Sequence, residues 1–149
     1  AHKNEIQPNA ELENADLSGA DLSNENLSGA DLSGANLDNT DLSGADLSES
    51  DLTEAELYRA NLTDTDLKDA DLIKTDFTQA DLIGAKLYNA DLSKANLAQA
   101  DISKAEFRGA DVSTAVLYET NITHNGNEVF ATKQVLHDFG AIIHPATNK

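Results

Sequence analysis

The chain has no cysteine, no tryptophan and no methionine, and only four Phe and three Tyr among its 149 residues. Without cysteine it forms no disulfide, no thiolate nucleophile and no Cys-based zinc site, and redox chemistry gives no clue to its compartment. The hydrophobic share of 40% is largely Ala and Leu, which cannot fill the wide interior of a compact globule at native density. The composition therefore predicts a narrow core and an elongated shape.

Long apolar runs and positive charge are also scarce. No run approaches the roughly 18 residues of a transmembrane helix, and no basic-then-apolar leader is visible, so we expect no membrane insertion. Ten basic residues stand against 27 acidic ones, which gives a net charge of −17. This balance disfavours direct nucleic-acid binding and permits a basic protein surface, divalent cations, or a protein that normally holds DNA as the partner.

What the chain does have is a repeat of five residues. From Leu12 to Ile122 every fifth residue is aliphatic or Phe, without insertion, which makes 23 repeats over residues 10–124. Two positions earlier stands Ala or another small residue, with Glu25 as the clear exception. Between these two stands Asp, Asn or Glu, except at Lys86 and Val116. The unit is A-(D/N)-L-(S/T)-x.

Neither regular element accommodates this period. Five residues advance about 140° beyond a full turn of α-helix, so the leucines would wind around the whole cylinder. In a flat strand an odd spacing would send successive leucines to opposite faces. A short extended piece followed by a bend at the Ser-Gly or Ser-Asn pair keeps every Ala and Leu on the inside of a coil.

The uninterrupted array resembles the pentapeptide-repeat family. The resemblance implies an all-β solenoid, a right-handed parallel quadrilateral β-helix with four repeats per coil, and hence nearly six coils in a rod about 27 Å long. Members are abundant in cyanobacteria, some reside in the periplasm or thylakoid lumen, and most have no assigned role. A minority inhibit type II topoisomerases by resembling DNA and protect against quinolones. The compartment of this chain is open between cytoplasm and export.

The array leaves two end segments, 1–9 and 125–149, which we expect to cap the solenoid. Ile6, Gln7 and Pro8 precede the first repeat, and proline suits a strand edge that must not propagate. Inside the array the predicted core comprises the inward residues at the centre of each side, among them Leu12, Leu32, Leu52, Leu72, Phe77, Leu92, Phe107 and Leu117.

At the other end, His124-Asn125-Gly126 predicts a turn. Asn127 is then the expected N-cap of a short α-helical cap over residues 128–139 that ends at Gly140, and Ala141-Ile142-Ile143 reads as an extended tail halted by Pro145. The helix would carry one apolar stripe, which either folds on the last coil as a lid or joins two rods end to end. We favour the lid and hence a monomer, because every solenoid needs a cap. The stripe residues are Val129, Val135, Leu136 and Phe139.

Catalytic and metal-binding motifs are missing. The histidines at positions 2, 124, 137 and 144 have no zinc-ligand spacing. The recurring serines belong to the repeat, and no nucleophile or phosphate-binding motif occurs. We therefore expect no enzyme activity, no cofactor and no metal.

Charge is unevenly placed along the array. Residues 10–69 carry a net charge of −14 and residues 70–124 only −3. The mean density is close to that of duplex DNA, but half of the rod is nearly neutral. We therefore predict a structural or protein-interaction module, with a DNA-mimic inhibitor of gyrase as the alternative.

The residue after the central Leu should face solvent and is usually Ser or Thr. In a short stretch it becomes apolar or large. We hypothesise that this partner belt, which would ring one coil beyond the acidic half, contacts a protein. Its residues are Tyr58, Ile73, Ile83 and Tyr88.

Overall fold

The computed structural model describes residues 5–124 and 127–144, with residues 124 and 127–129 described by their backbone alone. Parallel bridges join the Asp-position residue of each repeat to the residue twenty positions later, from Glu11↔Asp31 to Asp101↔Asn121. One coil is therefore twenty residues long, and each of its four sides is one repeat. Residues twenty apart stack in a column along the rod, and successive repeats lie on different sides.

A typical repeat in the middle of the array satisfies all five of its backbone N–H groups. Two donate to the next coil, one donates to the previous coil, and the small residue donates to the carbonyl of the preceding Leu to close a turn. The fifth, two residues after the Asp, donates to the Asp side chain. In repeat 31–35 the acceptors are Ala10 O (2.9 Å), Asp51 O (2.7 Å), Asp31 Oδ1 (3.0 Å), Thr53 O (2.9 Å) and Leu32 O (3.0 Å).

The side-chain acceptor explains the Asp/Asn preference of the repeat. Asp and Asn both carry an Oδ1 at the right distance along the side chain, and Asn36 accepts from the amide of Asp38 at 3.0 Å just as Asp31 accepts from Ser33. Glu56 holds its carboxylate one methylene further out. There the amide of Tyr58 donates instead to Asp38, one coil earlier, at 2.9 Å. The Asp position of the repeat thus requires a side chain that accepts a hydrogen bond from the backbone, and it does not require a charge.

The turns need a left-handed residue two positions after the Leu, and φ there is near +58° in most repeats, as at Asn14 and Lys74. Glycine adopts this conformation without steric cost. Glycine also leaves space for a side chain of the neighbouring coil, because a Cβ on Gly34 or Gly44 would lie 2.2 Å from the side-chain oxygen of the Asn twenty residues earlier. An Asn or Asp at this position is therefore compatible with glycine at the same position one coil later.

The core is the column of inward Leu, Phe and Ala side chains along the axis. The predicted core residues from Leu12 to Phe107 are all at most 2% exposed, and both phenylalanines are among the largest fully buried side chains. Leu117 differs, because it is only half-buried and packs at the border of the core. Every buried side-chain N or O in the described residues has a hydrogen-bond partner, including the hydroxyls of Thr65 and Thr75, which donate to carbonyls of the coil below at 2.7 Å.

The C-terminal segment corrects one prediction. Residues 128–130 belong to a strand and not to the helix: β1 (Asn121–His124) pairs antiparallel with β2 (Asn127–Phe130). The upper edge of β1 needs a partner, and Val129 and Phe130 are strand formers, so the chain folds back before it turns helical. The short helix α1 (Lys133–Asp138) has Thr132 as its N-cap, with the Thr132 side chain accepting from the amide of Val135.

After α1 the chain rejoins the solenoid. Gly140 has φ +95°, and Ile142 forms a parallel bridge with Asp111, donating to Ala110 O at 2.7 Å and accepting from the Val112 amide at 3.1 Å. Residues 140–144 thus repeat the pattern of a turn glycine, a buried small residue, an outward residue and an inward aliphatic. The predicted turn residues Asn125 and Gly126, the residues 1–4 of the N-terminal segment and Pro145 lie outside the described residues.

Substitutions at one Asp position distinguish the contribution of its hydrogen bonds to stability from the contribution of its charge. Asp46 accepts from the Ser48 amide at 2.9 Å and the Ser48 hydroxyl at 2.6 Å. We expect Asp46→Ala to lower the free energy of unfolding by about 1–2 kcal/mol, and Asp46→Asn to stay within about 0.5 kcal/mol of the original protein. Urea unfolding followed by circular dichroism measures both. Equal losses in the two variants would contradict the role assigned to the acceptor.

Candidate interaction surfaces

The acidic surface is built from the same Asp side chains that accept the backbone amides. Hydrogen bonds from Ser23 and Ser33 hold the pKa of Asp21 and Asp31, respectively, below the ordinary value. For Asp111, partial burial would raise the pKa, but hydrogen bonds from Ser113 and His144 outweigh it, so the pKa is also lowered. These carboxylates are therefore ionised at neutral pH while they are tied to the backbone.

Charge differs between the sides of the rod as well as along it. Because residues twenty apart stack, one column of outward positions is acidic in every coil: Glu11, Asp31, Asp51, Asp71, Asp91 and Asp111. The other three columns are interrupted by Asn, Lys or Val. Along the sequence the charge falls into an acidic half and a nearly neutral half, whereas the uninterrupted acidic column follows from the twenty-residue period of the coil.

The partner belt does not form one flat patch. Ile73, Ile83 and Tyr88 are half-buried and Tyr58 is 36% exposed, all facing outward. Since successive repeats occupy successive sides, Ile73 and Ile83 lie on opposite sides of the rod, and Tyr88 lies opposite the side that carries Tyr58. A flat partner surface reaches two adjacent sides at most.

Tyr88 has a local role of its own. Its hydroxyl donates to the Glu106 carboxylate, and this hydrogen bond raises the pKa of the tyrosine. Tyr88, Glu106, Arg108 and Phe139 border a shallow, open cleft of about 210 Å³ between the last coil and the end of α1. A cleft of this size and openness is small for a ligand pocket.

The cap residues are placed unevenly. Leu136 is completely buried and Val135 packs at the border of the core. Phe139, expected on the buried stripe, is 39% exposed, because the helix ends there and the residue lies beside the Tyr88 cleft. Val129 lies in β2, and its side chain is outside the described part.

Exposed apolar side chains concentrate at the C-terminal end. Of the six large hydrophobic residues that are exposed in the described part, Tyr58 alone lies elsewhere. The sequence carries a signal for two of the others, because Val116 is the one apolar residue at an Asp position and Tyr118 takes the place of Ser or Thr. The five residues are Val116 (46%), Tyr118 (64%), Phe130 (62%), Phe139 (39%) and Ile142 (41%).

The histidines with described side chains do not form a metal site. His144 is exposed, with Nε2 at 3.3 Å from Asp111 Oδ2, and His137 lies in the last turn of α1. No group of three or more His, Asp or Glu side chains suited to a metal ion occurs within residues 5–124 and 127–144. In the same ranges no helix has the length and apolarity that crossing a bilayer requires.

The array matches a family model described as pentapeptide repeats, in eight copies over residues 10–48, 41–79, 60–97, 80–117 and 95–124. A solved pentapeptide repeat protein from Nostoc Pcc 7120 is 41% identical, covering 58% of this chain and 69% of that one with a TM-score of 0.54. Rfr23 from Cyanothece 51142 is 36% identical over 64% of this chain and 61% of its own, with a TM-score of 0.49.

A pentapeptide repeat protein of the Arabidopsis thaliana thylakoid lumen is 27% identical over 85% of this chain and 90% of its own, with a TM-score of 0.47. No curated protein sequence matches the chain.

Proposed function

Because the chain belongs to the pentapeptide repeat family, a family of right-handed β-helix solenoids, we propose that it is a non-catalytic module that binds another protein with the C-terminal end of its rod. The observation that carries this proposal is the set of five exposed apolar residues at that end. Single exposed apolar residues are ordinary on any surface, whereas several at one end of an otherwise polar rod mark an interaction site.

Charge favours the same end. Residues 10–69 carry −14 and residues 70–124 only −3, so a partner approaches the C-terminal end against little repulsion. The acidic first coils keep the rods apart from one another and from nucleic acid. We define the C-terminal patch as Val116, Tyr118 and Phe130, the three most exposed of the five residues.

The partner belt remains the competing location. Three of its four residues are half-buried, and the four lie on four different sides of the rod, so we rank the belt below the C-terminal patch. Replacing three residues with serine in each set gives two variants that are matched in number and that leave the residues of the core untouched.

Affinity capture from an extract of the source organism tests this ranking. We expect the triple replacement V116S, Y118S and F130S to lose the proteins that the original chain recovers, because about 1–2 kcal/mol of apolar contact disappears at each position. The matched triple I73S, I83S and Y88S should recover them unchanged.

The two triples also decide between the locations. Loss of recovery with the belt variant alone would move the site to the belt. Full recovery with both variants would remove apolar docking altogether. Circular dichroism of each variant checks that the solenoid is intact.

We infer that β2 and α1 act as a lid and that the protein is a monomer. Supporting this, Leu136 is fully buried on the rod end and residues 140–144 add a strand to the last coil. Light scattering at micromolar concentration should give about the chain mass of 15.9 kDa. A mass of twice that value that falls to the single mass in the C-terminal patch variant would support an end-to-end dimer instead.

A DNA-mimic inhibitor of gyrase is the alternative that we do not favour. Duplex DNA carries uniform charge on its whole length, whereas this rod is acidic in its first half and on one column. We expect no inhibition in a gyrase supercoiling assay at micromolar protein, with a known inhibitor as the positive control. Inhibition that is lost when residues of the acidic column are changed from Asp to Asn would reverse the ranking.

A further inference from the structure

Two of the exposed tyrosines lie on the same side of the rod. Parallel bridges stack four repeats on this side, from residues 55–59 to residues 115–119, and we call their outward surface the tyrosine side. Tyr58 and Tyr118 occupy the same position in its first and last repeats, about 14 Å apart at three spacings of adjacent strands. The full column at that position is Tyr58, Thr78, Ala98 and Tyr118.

The middle of the tyrosine side carries little charge and no large apolar side chain. Asp76 is the only charged residue in its two middle repeats, and repeat 95–99 is the only repeat of the array without an acidic, basic or histidine residue. Thr78 and Ala98 are half-buried, whereas the tyrosines at the two ends are exposed. A rod with a net charge of −17 thus has one nearly uncharged strip with an aromatic ring at each end.

Side-chain amides line both edges of this strip. Along one edge Gln79 Nε2 donates to Gln99 Oε1, and Gln99 Nε2 donates to Glu119 Oε1, each at 3.2 Å. Along the other edge Asn96 Oδ1 accepts a backbone amide at 2.9 Å. Each Gln retains one side-chain N–H, and Asn96 retains two, for which the described residues supply no acceptor. Tyr58 Oη lies 3.5 Å from Gln79 Oε1, so this tyrosine extends along the side towards the next coil.

We propose that the tyrosine side binds an extended chain of an uncharged polysaccharide that lies along the rod axis. The C–H faces of sugar rings pack on aromatic rings such as those of the two tyrosines. Sugar hydroxyls accept from neutral amides and donate to their oxygens. An anionic polymer would be repelled by the net charge of the rod. This inference goes beyond the proposed function, because the ligand is not a protein and the site runs along the side of the rod.

The shape of the tyrosine side suits a linear polymer better than a folded partner. The strip is one repeat wide and four coils long, about 10 Å by 20 Å. A stable protein complex covers about 800 Å² on each partner, several times the area of this strip. A single polysaccharide chain is narrow enough to remain on one side of the rod over all four coils.

The spacing of the coils distinguishes a polysaccharide from an extended peptide. An extended peptide returns its side chains to the same face every two residues, or about 7 Å, which is out of step with coils that repeat at about 4.8 Å. A sugar ring in an extended glycan advances the chain by close to one coil spacing. Successive rings therefore meet equivalent positions of successive coils.

Titration calorimetry with the full chain tests the ligand class. The neutral probes are cellohexaose, xylohexaose and mannohexaose, and the anionic control is hexagalacturonate. We expect at least one neutral probe to bind with a Kd of about 1 mM or lower, and hexagalacturonate to bind at least about tenfold more weakly. No binding of any neutral probe at millimolar concentration overturns the proposal, and so does equal binding of the anionic control.

Matched variants test the location. Tyr58→Ser should weaken the binding of the best neutral probe by about tenfold, whereas Tyr88→Ser, at the same repeat position on the opposite side, should leave it unchanged. Ala98→Glu places a carboxylate in the middle of the strip and should abolish binding, whereas Ser93→Glu, on an adjacent side, should not. Circular dichroism checks the fold of each variant. Equal effects within either pair overturn the proposed site.

Nuclear magnetic resonance of the 15N-labelled chain gives a second readout. The side-chain amide signals of Gln79, Gln99 and Asn96 should shift when the best neutral probe is added, and that of Asn61, which takes the position of Asn96 on another side, should stay. Shifts of Asn61 equal to those of Asn96 would contradict binding along one side.

Failure here is distinguishable from failure of the proposed function. Tyr58 and Ala98 lie outside the C-terminal patch, so their variants should lose the polysaccharide and still recover the captured proteins. If Tyr58→Ser loses captured proteins while no neutral probe binds the original chain, the tyrosine side belongs to a protein contact and the polysaccharide proposal is wrong.

Discussion

The structure depends on finding a hydrogen-bond acceptor for each of the five backbone N–H groups of a repeat. The extended piece of each repeat is much shorter than an ordinary β-strand. Each repeat contributes one bridge residue to a parallel ladder, and no single bridge would be stable alone. Stacking at twenty residues per coil supplies three of the five acceptors, the turn supplies the fourth and the Asp or Asn side chain supplies the fifth. A narrow coil of this kind therefore needs neither long strands nor large aromatic side chains to fill its interior. This explains how the chain folds with a core made mostly of Ala and Leu.

This constraint separates the acidity of the protein from its fold. Asn36 and Asp31 accept the same amide in the same geometry, so each choice of Asp over Asn adds charge that the backbone does not require. Asp and Asn are unevenly distributed. One column of outward positions is acidic in all six coils, while the C-terminal half of the rod, residues 70–124, is nearly neutral overall. The distribution of charge is consequently a feature of the surface that the backbone hydrogen bonds do not require.

The parallel hydrogen-bond ladder between coils also explains why the surface of the C-terminal end differs from the surface of the rest of the rod. A solenoid ends where its hydrogen-bonding groups lose their next coil, and here different devices cover the sides: an antiparallel strand, a returning parallel strand and a buried helix residue, Leu136. Val116 and Tyr118 lie on the side of residues 115–119, where no strand within the described residues is added. The exposed apolar side chains of this side thus lie next to a column of hydrogen-bonded side chains, Gln79, Gln99 and Glu119.

The sequence by itself determined the coil, because a five-residue apolar period is compatible only with a backbone that bends after every Leu, and it determined which side chains face inward, from Leu12 to Phe107. It also marked Gly140 as a left-handed position. Only the tertiary structure decided that residues 128–130 pair with β1, since the demand for a partner comes from the edge of the coil and not from local helix signals. The same holds for the parallel pairing of residues 140–144 with residues 109–113. Both pairings depend on the edge that the last coil presents, which a five-residue pattern does not specify.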